Sequence, residues 1–465
     1  MKQPAQYLTP SQIEEQKDAI RRFLEVENRP RSFHIVTYGC QMNAHDSEKL
    51  AGILTEMGMT EAPDRREADF VLFNTCCVRD NAERRALGNI TWLKELRKEK
   101  PNLLIGVCGC MVQQPGMAQK ILKQYRFIDL AFGTHNLYML PKLLLSLLTE
   151  RSRVVSITDE ELLIAEGLPI QRLNPWHAYI TIMYGCDNFC SYCIVPYVRG
   201  RERSRRMDDI LREAEALQKS GVQEIMLLGQ NVNSYGNGAD ETFPLLLRKL
   251  DAMGIPRVRF MTSHPKDLSD ELIAAMAESQ HICRHLHLPV QSGNDEILQR
   301  MNRHYTREAY LDKVEKLRKA VPGIGLTTDL IVSFPGETEA QFLDTCALVD
   351  EVGYDAAFTF IYSPRVGTKA AAMPGQIAPE ESSRRIQYLI SRVEASTAKV
   401  NESMVGQEEQ VLIESLSKRD EHQVSGKGSR NITVTLPGDE GDIGHILKAR
   451  ITSAAVNTLR AERME

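Results

Sequence analysis

No stretch of the chain approaches the roughly 20 consecutive apolar residues that a bilayer-spanning helix needs, so a transmembrane reading is excluded. The start, MKQPAQYLTPSQIEEQ, lacks the apolar core of a secretory signal, which points to the cytoplasm and to reduced thiols. Positive charge is not in excess: 57 Lys and Arg stand against 62 Asp and Glu, for a net charge of −5. Bulk attraction to nucleic acid is not expected, and any such binding must come from local patches. No internal repeat of fixed period and no low-complexity tract is present. At 465 residues the chain is too long for one ordinary core, and two or three domains are expected. Against these absences stands cysteine. There are ten, and eight of them fall in short motifs, which in a reducing compartment favours metal or redox chemistry over disulfides.

Three blocks follow from the hydrophobic pattern. Residues 1–30 read as a helical extension, with Thr9 as cap and Pro10 at the first helical position. Residues 31–150 alternate apolar strands (FHIVTYG, FVLFN, LLIGVCG, FIDLAFG) with amphipathic helices, which predicts a doubly wound parallel sheet. A linker is expected over 151–174. Residues 175–404 carry six strand candidates (AYITIMYG, EIMLLGQ, RVRFMTS, HLHLPVQ, GIGLTTDLIV, DAAFTFIY) separated by helical segments, then a helix near 379–404. This predicts a partial (β/α)6 barrel of the TIM type. Residues 405–465 are β-like runs broken by Gly, Asp and Ser, a small all-β module. The fold class is α/β with an all-β tail.

After the first barrel strand comes YGCDNFCSYCIVPYVRGRERSRR, with the spacing Cys186-x3-Cys190-x2-Cys193. Soft thiolates clustered on one loop can hold an Fe–S cluster. Three cysteines leave one iron without a protein ligand, open to a substrate or cofactor. The loop also sits where barrel active sites are built, beyond the C-terminal end of a strand. A structural zinc site is the alternative, but it lacks the paired CxxC or Cys/His spacing.

Cys40, Cys76 and Cys110 each follow a predicted parallel strand. Such strand ends share one edge of an open α/β sheet, and ligands bind there. Three thiols far apart in sequence are therefore expected to converge on a second cluster, against the alternative of ordinary buried cysteines. Adjacent Cys76 and Cys77 can hardly bond to each other without strain. Consecutive side chains of an extended chain face opposite ways, so only one of the two faces the cluster.

CxxxCxxC with Tyr192 before the last cysteine resembles the signature of radical S-adenosylmethionine enzymes. YGCQMNAHDSE, NTCCVRDNAE, GCMVQ, TDLIVSFPGETE and FIYSPRVGT extend the resemblance to the methylthiotransferase subgroup, and the tail is similar to a TRAM domain, a small RNA-binding β-barrel. LGQNVNSYG resembles the tRNA branch, the 2-methylthio-N6-isopentenyladenosine synthases. The sister branch, acting on an aspartate of a ribosomal protein, is the alternative.

The resemblance implies two 4Fe–4S clusters, an auxiliary one on Cys40, Cys76 and Cys110 and a radical one on Cys186, Cys190 and Cys193. It selects Cys76 over Cys77 as ligand and leaves Cys108 as a spare thiol. Ser333 stands where the family commonly has glycine. One S-adenosylmethionine would methylate a sulfur on the auxiliary cluster. A second would give a 5′-deoxyadenosyl radical that abstracts hydrogen from carbon 2 of N6-isopentenyladenosine at position 37, next to the anticodon. The cofactor pocket implied at the strand ends comprises Tyr192, Gln230, Ser263, Gln291, Asp329 and Arg203, with Arg365 weaker; no catalytic residue is assigned. The five arginines from Arg199 to Arg206 are expected to divide between cofactor and RNA. Lys427, Arg430, Lys448 and Arg450 are the tail's candidates for RNA backbone contact. His285 and His287 read as structural or pocket-lining. The expected partners are tRNA and an electron donor such as flavodoxin or ferredoxin, with no membrane and a monomeric state.

Overall fold

The computed structural model describes residues 5–77, 80–158, 162–236, 240–418, 420 and 422–464, without the side chains of 80–82 and 84; Val78 and Arg79 of the NTCCVRDNAE motif lie outside the described residues. Among the described residues no helix is long and apolar enough to cross a membrane. The chain divides into two compact units.

The first unit comprises 1–173, 184–187 and 194–205. Its elements are α1 (Pro10–Glu25), β1 (Ser32–Thr37), α2 (Gln41–Glu56), β2 (Thr60–Glu61), β3 (Phe70–Thr75), α3 (Asp80–Glu99), β4 (Leu104–Gly109), α4 (Cys110–Gln113), α5 (Met117–Gln124), β5 (Leu130–Phe132), α6 (Leu140–Glu150), β6 (Val154–Ser156) and α7 (Val195–Val198). The sheet order is β2-β1-β3-β4-β5-β6, every pair parallel. Strand β3 shows why both faces are covered. Phe70 and Leu72 enter a core with α1, α2 and α6, while Val71 and Phe73 enter another with α3 and α5. The chain leaves β1 for one edge and returns to its other side as β3, so the topological switch lies between β1 and β3, where ligand crevices form. Thr9 and Gln12 form a capping box at the start of α1, as expected from the sequence.

Two boundaries differ from the sequence reading. The segment expected as a linker carries β6, and Gln171 N–H donates to the Glu48 carbonyl of α2. Residues 194–205, which follow the CxxxCxxC loop, pack with the first unit, with Ile194 and Val198 in the core beneath α3 and α5.

The second unit comprises 174–183, 188–193 and 206–465. Its strands fall in two parallel sheets of three, β11 (Arg257–Phe260), β10 (Glu224–Leu228), β7 (His177–Thr181), and β12 (His285–His287), β13 (Gly325–Val332), β14 (Ala356–Ile361). The remaining short strands, β8 (Met183–Tyr184) and β9 (Arg203–Ser204), pair with each other, and Tyr184 and β9 belong to the first unit. A bridge from Val258 to Ile282 links the two sheets, giving the expected partial barrel of six. Leu286, Leu326, Leu330 and Val332 belong to the core shared with helices. His285, His287, Thr327, Asp329 and Phe358 occupy the opposite face, which is therefore the lumen.

The tail is a closed barrel, β15-β16-β17-β19-β18, built from Glu408–Leu416, Gln423–Lys427, Thr433–Pro437, Thr458–Arg463 and Ile446–Ala454 in that order. Closure removes the sheet edges that would otherwise invite pairing. The turn after β16 is clamped to the barrel. Arg257 donates to the Lys427 and Gly428 carbonyls at 2.8 and 2.9 Å, and Arg259 donates to the Ser429 carbonyl at 3.0 Å. Glu224 accepts from Arg259 at 2.8 Å, so these buried charges are compensated.

Candidate metal centres and cofactor site

In the first unit β1, β3 and β4 are adjacent and parallel, and each ends just before a cysteine. Cys40 is the N-cap residue of α2, Cys76 follows β3, and Cys110 is the first residue of α4. Asn43 lies among them. Its amide oxygen is 3.7 Å from Cys40 Sγ and 4.0 Å from Cys110 Sγ, and its amide nitrogen donates to the Thr75 carbonyl at 3.0 Å. Asn74 fixes Asn43 in return by donating to its carbonyl at 2.9 Å. Cys76 is reached through Gly39: a Cβ there would lie 2.6 Å from Cys76 Cβ, and φ is +122°. The glycine permits both the turn and the approach.

Cys76 and Cys110 are buried, whereas Cys40 is exposed, so the group has one open side. Cys77 is buried in the apolar core beside Val71 and Ala68, and Cys108 in the opposite core beside Phe70 and Leu130. Both spare thiols thus have packing roles. Among the described residues no three His, Cys, Asp or Glu side chains are set for a metal ion. A polynuclear cluster would take each thiolate on a different iron, so its ligands need not converge as those of one ion do, and the all-sulfur donor set fits it.

The surrounding charge is positive. Arg199, from the segment after the CxxxCxxC loop, is buried; its Nε donates to Cys110 Sγ at 3.2 Å and its Nη2 to Asp46 at 2.7 Å. Burial, then Arg203 and Arg199, lower His135 to about 3 and keep it neutral. Burial pushes the Cys110 thiol up to about 12 against the pull of Arg199, so metal loading must displace a firmly held proton. The arginine run is not one solvated patch. Arg205 pairs with Glu166 at 2.6 Å, and Arg203 donates to the Arg201 carbonyl at 3.0 Å with its guanidinium 5.9 Å from the Tyr184 ring. Arg201 remains exposed near Asp187.

Cys186 also lies in the first unit, with its N–H donating to the Gly200 carbonyl at 3.2 Å. Cys190 and Cys193 lie in the second, where the end of helix Asp295–Arg300 and the residues after it cradle their loop. Asn302 donates to the Asn188 and Phe189 carbonyls at 3.0 and 3.1 Å, holding Phe189 at a φ of +45°. Ser191 Oγ donates to the Arg300 carbonyl at 2.8 Å, and Arg303 donates to Cys190 Sγ at 3.4 Å. Tyr192 packs against Phe334, Tyr362 and Met301. Sequence reasoning missed Asn302 and Arg303, because MNRHY carries no local signal of a loop partner.

Of the remaining cofactor candidates, Gln230, Ser263 and Gln291 follow the ends of β10, β11 and β12. Thr262 Oγ1 donates to the Gly229 carbonyl at 2.6 Å, which joins the first two segments. Gln291 sits at a φ of +75°, and its N–H donates to the Asp329 carbonyl at 2.9 Å. Ser263 is buried with an unpartnered Oγ, as a ligand-binding hydroxyl would be. Asp329 lies within β13, its carboxylate 3.5 Å from His287 Nε2. His285 and His287 both lie within hydrogen-bond distance of Thr327 Oγ1, so they line the lumen in a shared network.

The tail's basic residues separate into two sets. Arg430 donates to Asp355 at 2.8 Å, and Lys427 Nζ donates to Thr433 at 2.8 Å, so both already hold partners within the second unit. Lys448, Arg450 and Arg460 are exposed on the outer face of β18 and β19.

Comparison with known proteins supports the order of the domains. Family models match in chain order: "Uncharacterized protein family UPF0004" over 32–133, "Radical SAM superfamily" over 180–349 and "TRAM domain" over 402–463. A tRNA-2-methylthio-N(6)-dimethylallyladenosine synthase of Clostridium perfringens (strain 13 / Type A) is 49% identical over 445 residues, covering 95% of this chain and 100% of the relative. One of Alkaliphilus oremlandii is 48% identical over 460 residues, covering 98% of each. Among solved structures, the radical S-adenosylmethionine methyltransferase TsrM from Kitasatospora setae superposes with a TM-score of 0.54 at 16% identity, covering 73% of this chain and 75% of that one, a likeness of fold.

Proposed function

The chain belongs to the tRNA-2-methylthio-N(6)-dimethylallyladenosine synthase family, and from that premise we propose that it inserts a methylthio group at carbon 2 of N6-isopentenyladenosine next to the anticodon of tRNA. Membership in the radical SAM superfamily implies a 4Fe–4S cluster and S-adenosylmethionine. The observation that carries the fuller reading is the convergence of Cys40 and Cys110 on Asn43, with Cys76 against Gly39, at three adjacent parallel strand ends. It supports a second, auxiliary cluster on these thiols.

When bound, the two clusters and S-adenosylmethionine supply a carbon-centred radical and a methylated sulfur to the substrate base. The chain's own residues bind and orient. Cys186, Cys190 and Cys193 would hold the radical cluster, and Arg303 steadies Cys190. Tyr192, Gln230, Ser263, Gln291, Asp329 and Arg203 are the proposed S-adenosylmethionine set. Ser263 offers a hydroxyl with both donor and acceptor capacity, and the Asp329 carboxylate an acceptor. Arg203, placed in the first unit, would act as a cation for a carboxylate. The lumen face of Thr327, His287 and Phe358 suits a splayed-out base, polar at one side and aromatic at the other.

The tRNA would be gripped in part by the exposed basic face of the tail. A flavodoxin or ferredoxin as electron donor, a monomeric state and a cytoplasmic location complete the reading. Anaerobic reconstitution with iron, sulfide, reductant, S-adenosylmethionine and isopentenylated tRNA tests it, with nucleosides read by mass spectrometry. The expected product is the methylthio-nucleoside. Formation of 5′-deoxyadenosine without that product would overturn the assigned substrate.

A further inference from the structure

Arg199 is 5% exposed, and its guanidinium is directed at the sheet edge that carries the three thiols. Its Nε donates to Cys110 Sγ at 3.2 Å. Its Nη2 donates to Asp46 Oδ2 at 2.7 Å and lies 3.4 Å from the Asn43 oxygen that also touches Cys40 and Cys110. Asp46 is itself buried, on the first turns of α2 behind Cys40. A guanidinium in this position is more than a filler of space, because it is a cation inside low dielectric, hydrogen-bonded to a sulfur and balanced by one carboxylate.

We propose that Arg199, oriented by Asp46, is the positioning residue of the auxiliary centre and sets its reduction potential. The proposal rests on the reading of Cys40, Cys76 and Cys110 as a cluster site. Hydrogen bonds to ligand sulfurs and nearby charge are the protein's levers on such a centre. An N–H on the Cys110 sulfur withdraws charge from it, and a nearby cation favours the reduced, more negative form. Asp46 acts in the opposite sense and moderates the cation. The two residues therefore have signed effects. Arg199→Met lowers the midpoint potential, because the donor is lost and the Asp46 charge is left bare. Asp46→Asn raises it, because the guanidinium is no longer offset. A purely structural ion pair predicts lost stability in both variants and no opposite shifts.

The experiment uses the full chain with Cys186, Cys190 and Cys193 replaced by alanine, so that only the auxiliary centre can load. Iron and sulfide are assayed after anaerobic reconstitution, and the potential is read by redox titration with paramagnetic resonance. Arg199→Met, Asp46→Asn and the charge-neutral double variant are compared with this parent. The double variant guards against a single change that fails to fold. Expected are full iron loading of the parent, a fall for Arg199→Met, a rise for Asp46→Asn and an intermediate value for the pair. Equal potentials in iron-loaded variants would overturn the role of Arg199 and leave the cluster reading standing. A parent that binds no iron would overturn both.

Discussion

Arg303 donates an N–H to Cys190 at 3.4 Å, and among the described residues its other hydrogen-bond partners are Tyr305 and the Pro289 carbonyl, neither of them a carboxylate. It is 4% exposed. A buried cation without a fixed anion is costly unless something negative joins it. A metallated Cys190 thiolate meets that need. Arg303→Met should therefore leave the iron-free protein as stable as the parent or more so, while weakening the loaded form. A charge-assisted hydrogen bond contributes about 1.5–3 kcal/mol, so 5′-deoxyadenosine formation without tRNA should fall roughly 10- to 100-fold. Thermal melting of both forms and chromatography of the nucleoside decide it; a variant that melts far lower without iron argues against this role.

Cys76 and Cys77 separate the chemistry from the packing. Cys76 lies against Gly39 on the ligand edge, and Cys77 lies in the core beside Val71 and Ala68. Cys76→Ala should lose the auxiliary iron with little change in fold. Cys77→Ala should keep the iron and cost about 1 kcal/mol, the scale of a small core truncation. Iron assay beside a denaturant titration checks both, and retention of all iron in Cys76→Ala would reverse the assignment.

Ser333 holds a φ of +62°, and its buried hydroxyl has no hydrogen-bond partner. The left-handed conformation costs a non-glycine residue about 1–2 kcal/mol. The greater freedom of glycine in the unfolded chain returns about 0.5–1 kcal/mol of that. Ser333→Gly should thus stabilise the second unit by about 1 kcal/mol, read as a higher midpoint in urea. An unchanged or lower midpoint would overturn this account of Ser333.

The parts legible in the sequence were those written in local periodicity. All six barrel strands, from His177–Thr181 to Ala356–Ile361, and the strand ends preceding Cys40, Cys76 and Cys110 follow from apolar runs that end in turn residues. The strands missed were short or polar: Thr60–Glu61, Val154–Ser156, QVSGK in β16 and TLRAER in β19, which earn their place by pairing with neighbours. Long-range packing was also invisible. Arg199 reads in sequence as one of an arginine run divided between cofactor and RNA, and only the Asp46 carboxylate, 153 residues away, makes it an interior residue. Nor does the sequence separate Lys427 and Arg430, which have Thr433 and Asp355 as partners, from the exposed Lys448 and Arg450.

That last separation gives a prediction about tRNA. Lys448, Arg450 and Arg460 project from the exposed face of β18 and β19, although Arg450 is 3.1 Å from Glu408 and so is partly offset. Phosphate contacts release counterions, and each one lost lowers the salt dependence of binding by about one unit of slope. Lys448→Gln and Arg460→Gln should each weaken tRNA binding and flatten the plot of log affinity against log salt by about 1. Arg430→Gln should behave otherwise. Its partner Asp355 is buried, so the variant loosens the clamp between the tail and the barrel and lowers thermal stability, while the salt slope stays as it was. Filter binding over a salt series, with melting curves of the same variants, distinguishes the two groups. An Arg430 variant with a flattened slope and unchanged melting would move the RNA contact to the turn after β16.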